Sequence, residues 1–363
     1  MTNVSIITCF TYLENKKYLF NPTYVKADLR RIVSYAKNYI GCAFKHMYVI
    51  TDIPPNINLR NEIRKEFYEE VNNNLNKLGL KHNITFYKTQ SPLAWLEQVC
   101  TNLTYNNDYS ATYLFTSIVS KIIPVINNHN VIEFVSLFTN FIQIRGGVHY
   151  EQSINSIFST LPHSTNLFFY YTGHGVRFID VYNNIQIVHD VRLVIPSYHG
   201  SIDFYSRHTL QRSFAMLNSE TSCIVIIDCC HGENLLELPL TFKADGKLKH
   251  SSEQRLSNKY DSSIIYLSST IQGQTCGFYI DDKDSGSLFT HYLIKTLKTT
   301  SLNTERINKI HSDIEQKIHK YRIRTGKTPQ NIVISYSHDK NKYLPQWLFE
   351  NKENTVKIVE KID

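Results

Sequence analysis

The sequence predicts an α/β fold, a mostly parallel central sheet with helices on both faces. Three observations predict it. Short β-rich runs recur that are apolar at consecutive rather than alternate positions, which suits strands buried on both faces. Amphipathic helical stretches alternate with these runs along the 363 residues. Two of the runs stop abruptly in reactive side chains, and the C-terminal edge of a parallel sheet is where ligands bind.

The strand candidates in order are "VSIITCF" (4–10), "MYVIT" (47–51), "NLFFYY" (166–171), "IQIVHDVRLVIP" (185–196), "CIVIID" (223–228), "SIIYLS" (263–268) and "NIVISY" (331–336). Helical patterns fall between them. "YVKADLRRIVSYAKNYI" puts Val25, Leu29, Ile32, Val33 and Ala36 on one stripe. "NEIRKEFYEEVNNNLNKLG" closes on Gly79, a C-cap residue. "SRHTLQRSFAMLN" and "GSLFTHYLIKTLKTT" read as helices. "TERINKIHSDIEQKIHKYRIRTG" lines up Ile307, Ile310, Ile314 and Ile318 and stops near Gly326. Residues 86–149 are apolar and aromatic and read as largely helical, packed on the sheet. Residues 241–263 are polar and basic and read as an exposed, mobile loop.

Composition excludes several classes. The formal charge is +7, with no dense basic run, so no nucleic-acid partner is expected. The amphipathic stretches lack a Lys/Arg-rich polar face, and no apolar run approaches the ~18 residues of a membrane span, so no membrane partner is expected either. The seven cysteines, an odd number at irregular spacing, argue for reduced thiols in a cytoplasmic or nuclear protein, not a secreted one. The N-terminus has no basic region ahead of its short apolar stretch and reads as a first strand, not a signal peptide.

The chemistry sits at two strand ends. "NLFFYYTGHGV" runs into Thr172, Gly173, His174 and Gly175, and "SCIVIIDCCHG" runs into Asp228, Cys229, Cys230, His231 and Gly232. On neighbouring strands, His174 and Cys230 would face one cleft. A thiol near its free pKa of roughly 8.5 is a poor thiolate source at neutral pH. An imidazole beside it can take its proton and later protonate a leaving amine. The Gly175 and Cys230 N–H groups could form an oxyanion hole. Adjacent Cys-Cys-His cannot easily close on one tetrahedral metal, so zinc is disfavoured and no metal ligand is assigned.

"YYTGHG" resembles the histidine motif of the caspase and metacaspase clan of cysteine peptidases, and "IIDCCHG" its metacaspase nucleophile motif. The caspase histidine lies roughly 50 residues upstream of the cysteine, as His174 does from Cys230. "VKADLRRIVSYAKNYIGCAFKHMYVITD", "LSSTIQGQT" with "GSLFTHYLIKTL", and "KTPQNIVIS" are similar to further parts of the clan. The resemblance implies a three-layer α/β/α caspase-like fold around a mostly parallel six-stranded sheet. One domain would span 1–345. Its large-subunit-like part would be 1–240, with 86–149 as a helical insertion. A polar linker 241–263, a small-subunit-like part 264–345 and a tail 346–363 would follow.

By the same resemblance His174 is the general base and acid, Cys230 the nucleophile, and Cys229 a bystander. Asp28, the acid that opens the first helix in the family pattern, joins Thr172 and Asp228 in lining S1. Two carboxylates in one pocket would attract a P1 Arg or Lys and repel a P1 Asp. The function implied is a cysteine endopeptidase acting on protein or peptide substrates through a thioester, as a monomer or homodimer. No cofactor is required for that chemistry. The alternatives are a caspase-type P1 Asp specificity and a catalytically silent scaffold or decoy. Calcium activation is disfavoured, because Ser197, Gln272 and Gly273 stand where the family is acidic; Asp180, Asp190 and Asp203 are the remaining oxygen donors. Lys243, Lys247, Lys249, Arg255 and Lys259 are candidate self-cleavage sites in the linker.

Overall fold

The computed structural model describes residues 1–337 apart from 83, 86–89, 105–110, 123–125, 183–184, 243–247, 251–258, 282–283 and 300–306. In chain order the elements begin with β1 (Thr2–Cys9), α1 (Pro22–Asn38) and β2 (Met47–Thr51). Four helices follow: α2 (Ile57–Lys77), α3 (Pro92–Thr104), α4 (Ala111–Ile122) and α5 (Val131–Phe138). Then come β3 (Asn140–Gln143), α6 (Gly147–Ser159), β4 (Thr165–Thr172), β5 (Gly175–Tyr182), β6 (Ile185–Pro196), β7 (Ile202–Ser206), α7 (Arg207–Phe214) and β8 (Ser222–Asp228). The rest are β9 (Leu240–Phe242), β10 (Leu248–His250), β11 (Ser263–Ser268), β12 (Phe278–Asp281), β13 (Asp284–Ser287), α8 (Leu288–Leu297), α9 (Ile307–Arg324) and β14 (Val333–Tyr336).

The described residues form two compact units, Met1–Ile53 with Ile142–Asp363, and Pro54–Phe141. In the first, the main sheet runs β10-β9-β14-β11-β8-β4-β1-β2-β3. Six of the seven strand candidates form its centre, β2-β1-β4-β8-β11-β14, parallel except for β14, in number the six-stranded sheet that the resemblance implies. The sheet is wider than six because β3 extends one edge and the β9–β10 pair the other. The segment read as a polar loop thus supplies a strand to the sheet, with Lys249 of β10 opposite Thr241. "IQIVHDVRLVIP" is a strand at the expected bounds, but it pairs with β5 and β7 in a separate sheet.

Strand alternation assigns two faces. Val4 and Ile6, Leu167, Phe169 and Tyr171, and Cys223, Val225, Ile227 and Cys229 share one apolar cluster with Tyr150, Ile154 and Phe158 of α6 and Leu210 and Phe214 of α7. The intervening residues face α1 and α8: Phe168 packs against Tyr35, and the Tyr170 hydroxyl meets the Thr290 hydroxyl at 2.7 Å. Burial on both faces is why these strands read as continuous apolar runs. Asn21 caps α1, its side chain accepting the Thr23 N–H, and Pro22 holds the first position.

The second unit is helical. Asn56 caps α2, its side chain accepting the Asn58 and Leu59 N–H groups, and Glu133 accepts the Asn56 N–H. Phe67 of α2 meets Phe138 of α5 edge-on, and Trp95 of α3 is fully buried. The unit begins and ends earlier than the 86–149 read from the sequence. The reason is packing: α2 buries its apolar face on α5, whereas α6 buries its own beside α7. Helical periodicity alone says nothing about which neighbour takes the apolar face.

Candidate active site

Strand pairing places both motifs on one rim. β4 and β8 are neighbouring parallel strands with Thr172 opposite Asp228. The chain leaves each strand at the same level, two residues before His174 and Cys230. The Gly173 N–H donates to the Asp228 carbonyl at 3.3 Å. Gly175 lies so close to the other loop that a Cβ on it would sit 2.1 Å from the Cys230 carbonyl oxygen and 2.8 Å from the Cys229 Sγ. No side chain fits there, which explains the glycine. The His174 carbonyl accepts the Val194 N–H at 3.0 Å, so the next residue, Gly175, turns its N–H away from β6.

His174 is oriented by residues the sequence did not point to. Its Nε2 lies 2.6 Å from the Tyr18 carbonyl oxygen. A carbonyl only accepts, so Nε2 carries the hydrogen and Nδ1 keeps a free lone pair. The ring is enclosed by Phe20, Tyr12 and Tyr18 at centroid distances of 3.9, 4.9 and 5.3 Å. Burial lowers its pKa below the usual value, and the Tyr18 carbonyl works in the opposite direction. The Tyr12 hydroxyl accepts the His174 N–H and donates to the Val194 carbonyl, both at 2.8 Å, and Tyr171 donates to the same carbonyl at 3.0 Å. Only the aromatic density of "CFTYLENKKYLF" could have signalled this enclosure.

The cysteine turn is built from strain and hydrogen bonds. His231 adopts a φ of 60°, a left-handed conformation uncommon outside glycine, and this throws the chain sharply off β8. The Cys229 carbonyl accepts the Ser269 and Thr270 hydroxyls at 3.1 and 2.9 Å. The Gly232 N–H donates to the Thr270 hydroxyl and the His231 N–H to the Gln274 carbonyl. The "SSTIQGQT" stretch is therefore the brace of the nucleophile turn. Cys229 is fully buried, and burial pushes its thiol well up. Cys230 is half-buried, and its pKa is lowered to about 7.

The expected S1 residues converge on the start of α8. Asp28 accepts the Ser287 N–H at 2.7 Å, and Asp228 accepts the Thr290 hydroxyl at 2.6 Å. Thr172 pairs with Asp228 across the strands and is buried with them. Asp28 is not at the opening of its helix; it lies about two turns into α1, which starts at Pro22. It is also paired already, with Arg31 Nη1 at 2.7 Å. Burial raises its pKa to about 8; Arg31 opposes that rise and the neighbouring Asp228 adds to it. Asp228 is raised by burial too, with Ser287 and Thr290 hydroxyls opposing, and its Oδ1 has no partner within hydrogen-bond geometry.

The remaining candidates do not assemble. Asp190 pairs with Arg192 at 2.8 Å, and Asp203 accepts the Gly147 N–H at 2.7 Å. Asp203 lies opposite Ile195 on β6, five residues from Asp190 and so roughly 17 Å along the strand. These two cannot share a calcium ion, and the side chain of Asp180 lies outside the described residues. Among the described residues no group of three or more His, Cys, Asp or Glu is placed to hold a metal. Lys243, Lys247 and Arg255 also lie outside the described residues. Lys259 is engaged by Glu237 at 3.7 Å and by the Gln211 side chain. Among the described residues no helix is long and apolar enough to cross a membrane.

No curated protein matches the chain. A crystal structure of a Geobacter sulfurreducens protein aligns with 57% of this chain and 78% of its own, at 13% identity and a TM-score of 0.37. A family model described as the caspase domain, of the C14 peptidases, matches residues 150–354. That span carries both strand-end motifs, the brace of the nucleophile turn and the helix that anchors the acidic pair. The chain belongs to the caspase-domain family of cysteine peptidases.

Proposed function

We propose that this chain is a cysteine endopeptidase in which Cys230 attacks the scissile carbonyl and His174 moves the proton, with a preference for Arg or Lys at P1. The observation that carries the reading is the register of β4 and β8, which sets Thr172 opposite Asp228 and the Gly175 backbone against the Cys230 carbonyl. The Cys230 thiol passes its proton to His174 Nδ1, the sulfur adds to the carbonyl carbon, and the Gly175 and Cys230 N–H groups receive the oxyanion. Protonated His174 then gives its Nδ1 proton to the departing amine as the C–N bond breaks, leaving a thioester. Water, deprotonated by His174, adds to the thioester; the C–S bond breaks, releasing the acid and restoring the thiolate. The Tyr18 carbonyl stabilises the imidazolium at Nε2 throughout.

P1 selection rests on the acidic pair. Arg31 already pairs with Asp28, so Asp228, whose Oδ1 has no partner, is the carboxyl left for a basic side chain, and the arriving positive charge would favour its ionised form against the effect of burial. A fluorogenic peptide panel with Arg, Lys or Asp at P1 tests this. Cleavage after Arg or Lys that disappears in Cys230→Ala is the expected result. Cleavage after Asp alone would overturn the acidic pocket, and no cleavage of any peptide would favour a silent scaffold.

A further inference from the structure

A second thiol stands beside the candidate nucleophile. Cys276 Sγ lies 3.7 Å from Cys230 Sγ, within hydrogen-bond reach for sulfur, and both residues are half-buried. They come from different segments, the turn after β8 and the stretch leading into β12. The second segment is fastened on both sides of Cys276. Gln274 exchanges hydrogen bonds with Asn331, its Nε2 donating to Oδ1 and its Oε1 accepting the main-chain N–H, both at 2.7 Å. The Gly277 N–H donates to Gln330 Oε1 at 2.9 Å, and Gln330 Nε2 donates to the Ser269 carbonyl at 2.9 Å. Arg322 Nη1 joins the same Gln330 oxygen at 3.1 Å and packs against Gly277. Cys276 is therefore held in place next to the sulfur, not swept past it by a free loop.

The charges around the pair act on both sulfurs alike. Arg322 of α9 supplies positive potential to both sulfurs, and Asp228 of β8 opposes ionisation of each. Cys229 is buried and remains a thiol. His174 faces the cleft from the neighbouring strand, and His231 lies near Arg177 of β5. One sulfur can ionise while the other keeps its proton, and the hydrogen bond between them strengthens when it does.

We propose that Cys276 is a positioning residue for the nucleophile, its thiol donating a hydrogen bond to the Cys230 thiolate and holding that sulfur ionised in the cleft. The proposal rests on Cys230 being the nucleophile. A donor aimed at an anion favours the anion, and this is the largest influence drawing the Cys230 pKa down to about 7 against the opposing effect of burial. Either thiol can donate across the 3.7 Å contact; burial pushes the Cys276 thiol well up, which makes it the partner proposed to keep the proton.

The experiment is the pH dependence of iodoacetamide alkylation of full-length protein, with the label located on Cys230 by fragment sequencing of its peptide. Wild type should show half-maximal alkylation near pH 7, below the roughly 8.5 of a free thiol. Cys276→Ala should move that midpoint up by about one unit, and so slow labelling at acidic pH about tenfold. Cys276→Ser, which keeps a donor of similar reach, should stay within about twofold of wild type. Superimposable profiles for wild type and Cys276→Ala would overturn the proposal, as would a Ser variant shifted as far as the Ala variant. A wild-type midpoint at or above roughly 8.5 would overturn it without any variant. Alkylation needs no substrate, so a chain that cleaves no peptide yet shows the expected shifts counts against the peptidase reading and not against this one.

Discussion

The imidazole Nε2 of His174 meets the main-chain carbonyl of Tyr18 at 2.6 Å, with the ring of Phe20 over its face at 3.9 Å between centroids. A main-chain oxygen and three aromatic rings do here what a carboxylate does in other triads: they fix the tautomer and the angle of the base. Phe20→Ala should therefore lower kcat on the order of 10- to 100-fold with little change in KM, because a ring misplaced by a fraction of an ångström no longer receives the proton well. Phe20→Tyr should recover most of the loss. Tyr18→Phe should be nearly silent, since the carbonyl stays. Steady-state kinetics of the three variants check this, and a silent Phe20→Ala would contradict it.

The ionisation of Cys230 sets a pH limb. Its thiol is lowered to about 7, and His174 lies below its usual value through burial. Departure of the amine needs one proton held between Cys230 and His174; above about pH 7 that proton is lost, leaving a thiolate beside a neutral imidazole that cannot protonate the leaving group. So kcat/KM should fall through a midpoint near pH 7 on the alkaline side. A midpoint near the roughly 8.5 of an ordinary thiol would remove the electrostatic account of the site.

Gly175 should tolerate no substitution. An added methyl group would sit 2.1 Å from the Cys230 carbonyl oxygen, and backbone cannot yield as a side chain can. Gly175→Ala should cost at least about 100-fold in activity, since two loops that must touch are pushed apart. Alkylation of Cys230 by iodoacetamide should slow as well. A variant with near-native turnover would contradict the packing of the two turns.

The acidic pair should be unequal. Asp228→Asn should remove most of the preference for basic P1, on the order of 100-fold in kcat/KM for an Arg peptide. Asp28→Asn should change selectivity less, because Arg31 already holds that carboxyl, and should instead lower stability by about 2 kcal/mol, since the buried guanidinium exchanges an acidic partner for a neutral one and keeps the Ser285 carbonyl. Peptide kinetics and urea denaturation separate the two effects. Equal losses of selectivity would argue that Arg31 does not mask Asp28.

Gln330 is fully buried and bonds Ser269, Gly277 and Arg322 at once. Gln330→Leu keeps the volume and removes a hydrogen bond from each of the three, Arg322 keeping Thr328, so unfolding in urea should require about 2–3 kcal/mol less. Activity should fall further than stability alone predicts, because the same side chain steadies the brace of the nucleophile turn. A stable, fully active variant would refute that coupling.

Much of this was legible in one dimension. The runs at 47–51 and 263–268 are strands at their expected bounds, and "TGHG" and "DCCHG" lie where strands end. Such strands are buried on both faces, so they must be apolar at every position and must break where polar chemistry begins. The helices were legible through their stripes and through Gly79 and Gly326, both at positive φ just past a helix end. The β9–β10 edge was not legible, because two strands of three residues are too short to show a period. Nor was the pairing of Arg31 with Asp28 singled out, since i,i+3 charges on a helix are common and usually solvated.

What the order of residues determined by itself was the inventory: which segments must be buried, where they end, and which reactive groups they deliver. What only the folded chain decided was company. Tyr18 and Phe20 reach His174, Cys276 reaches Cys230, and Gln330 reaches Ser269 and Gly277 across separations with no periodic trace in the sequence. Periodicity encodes the face a residue presents, within one element; sheet order, crossover connections and loop closure choose what meets that face. These are properties of the whole packed chain.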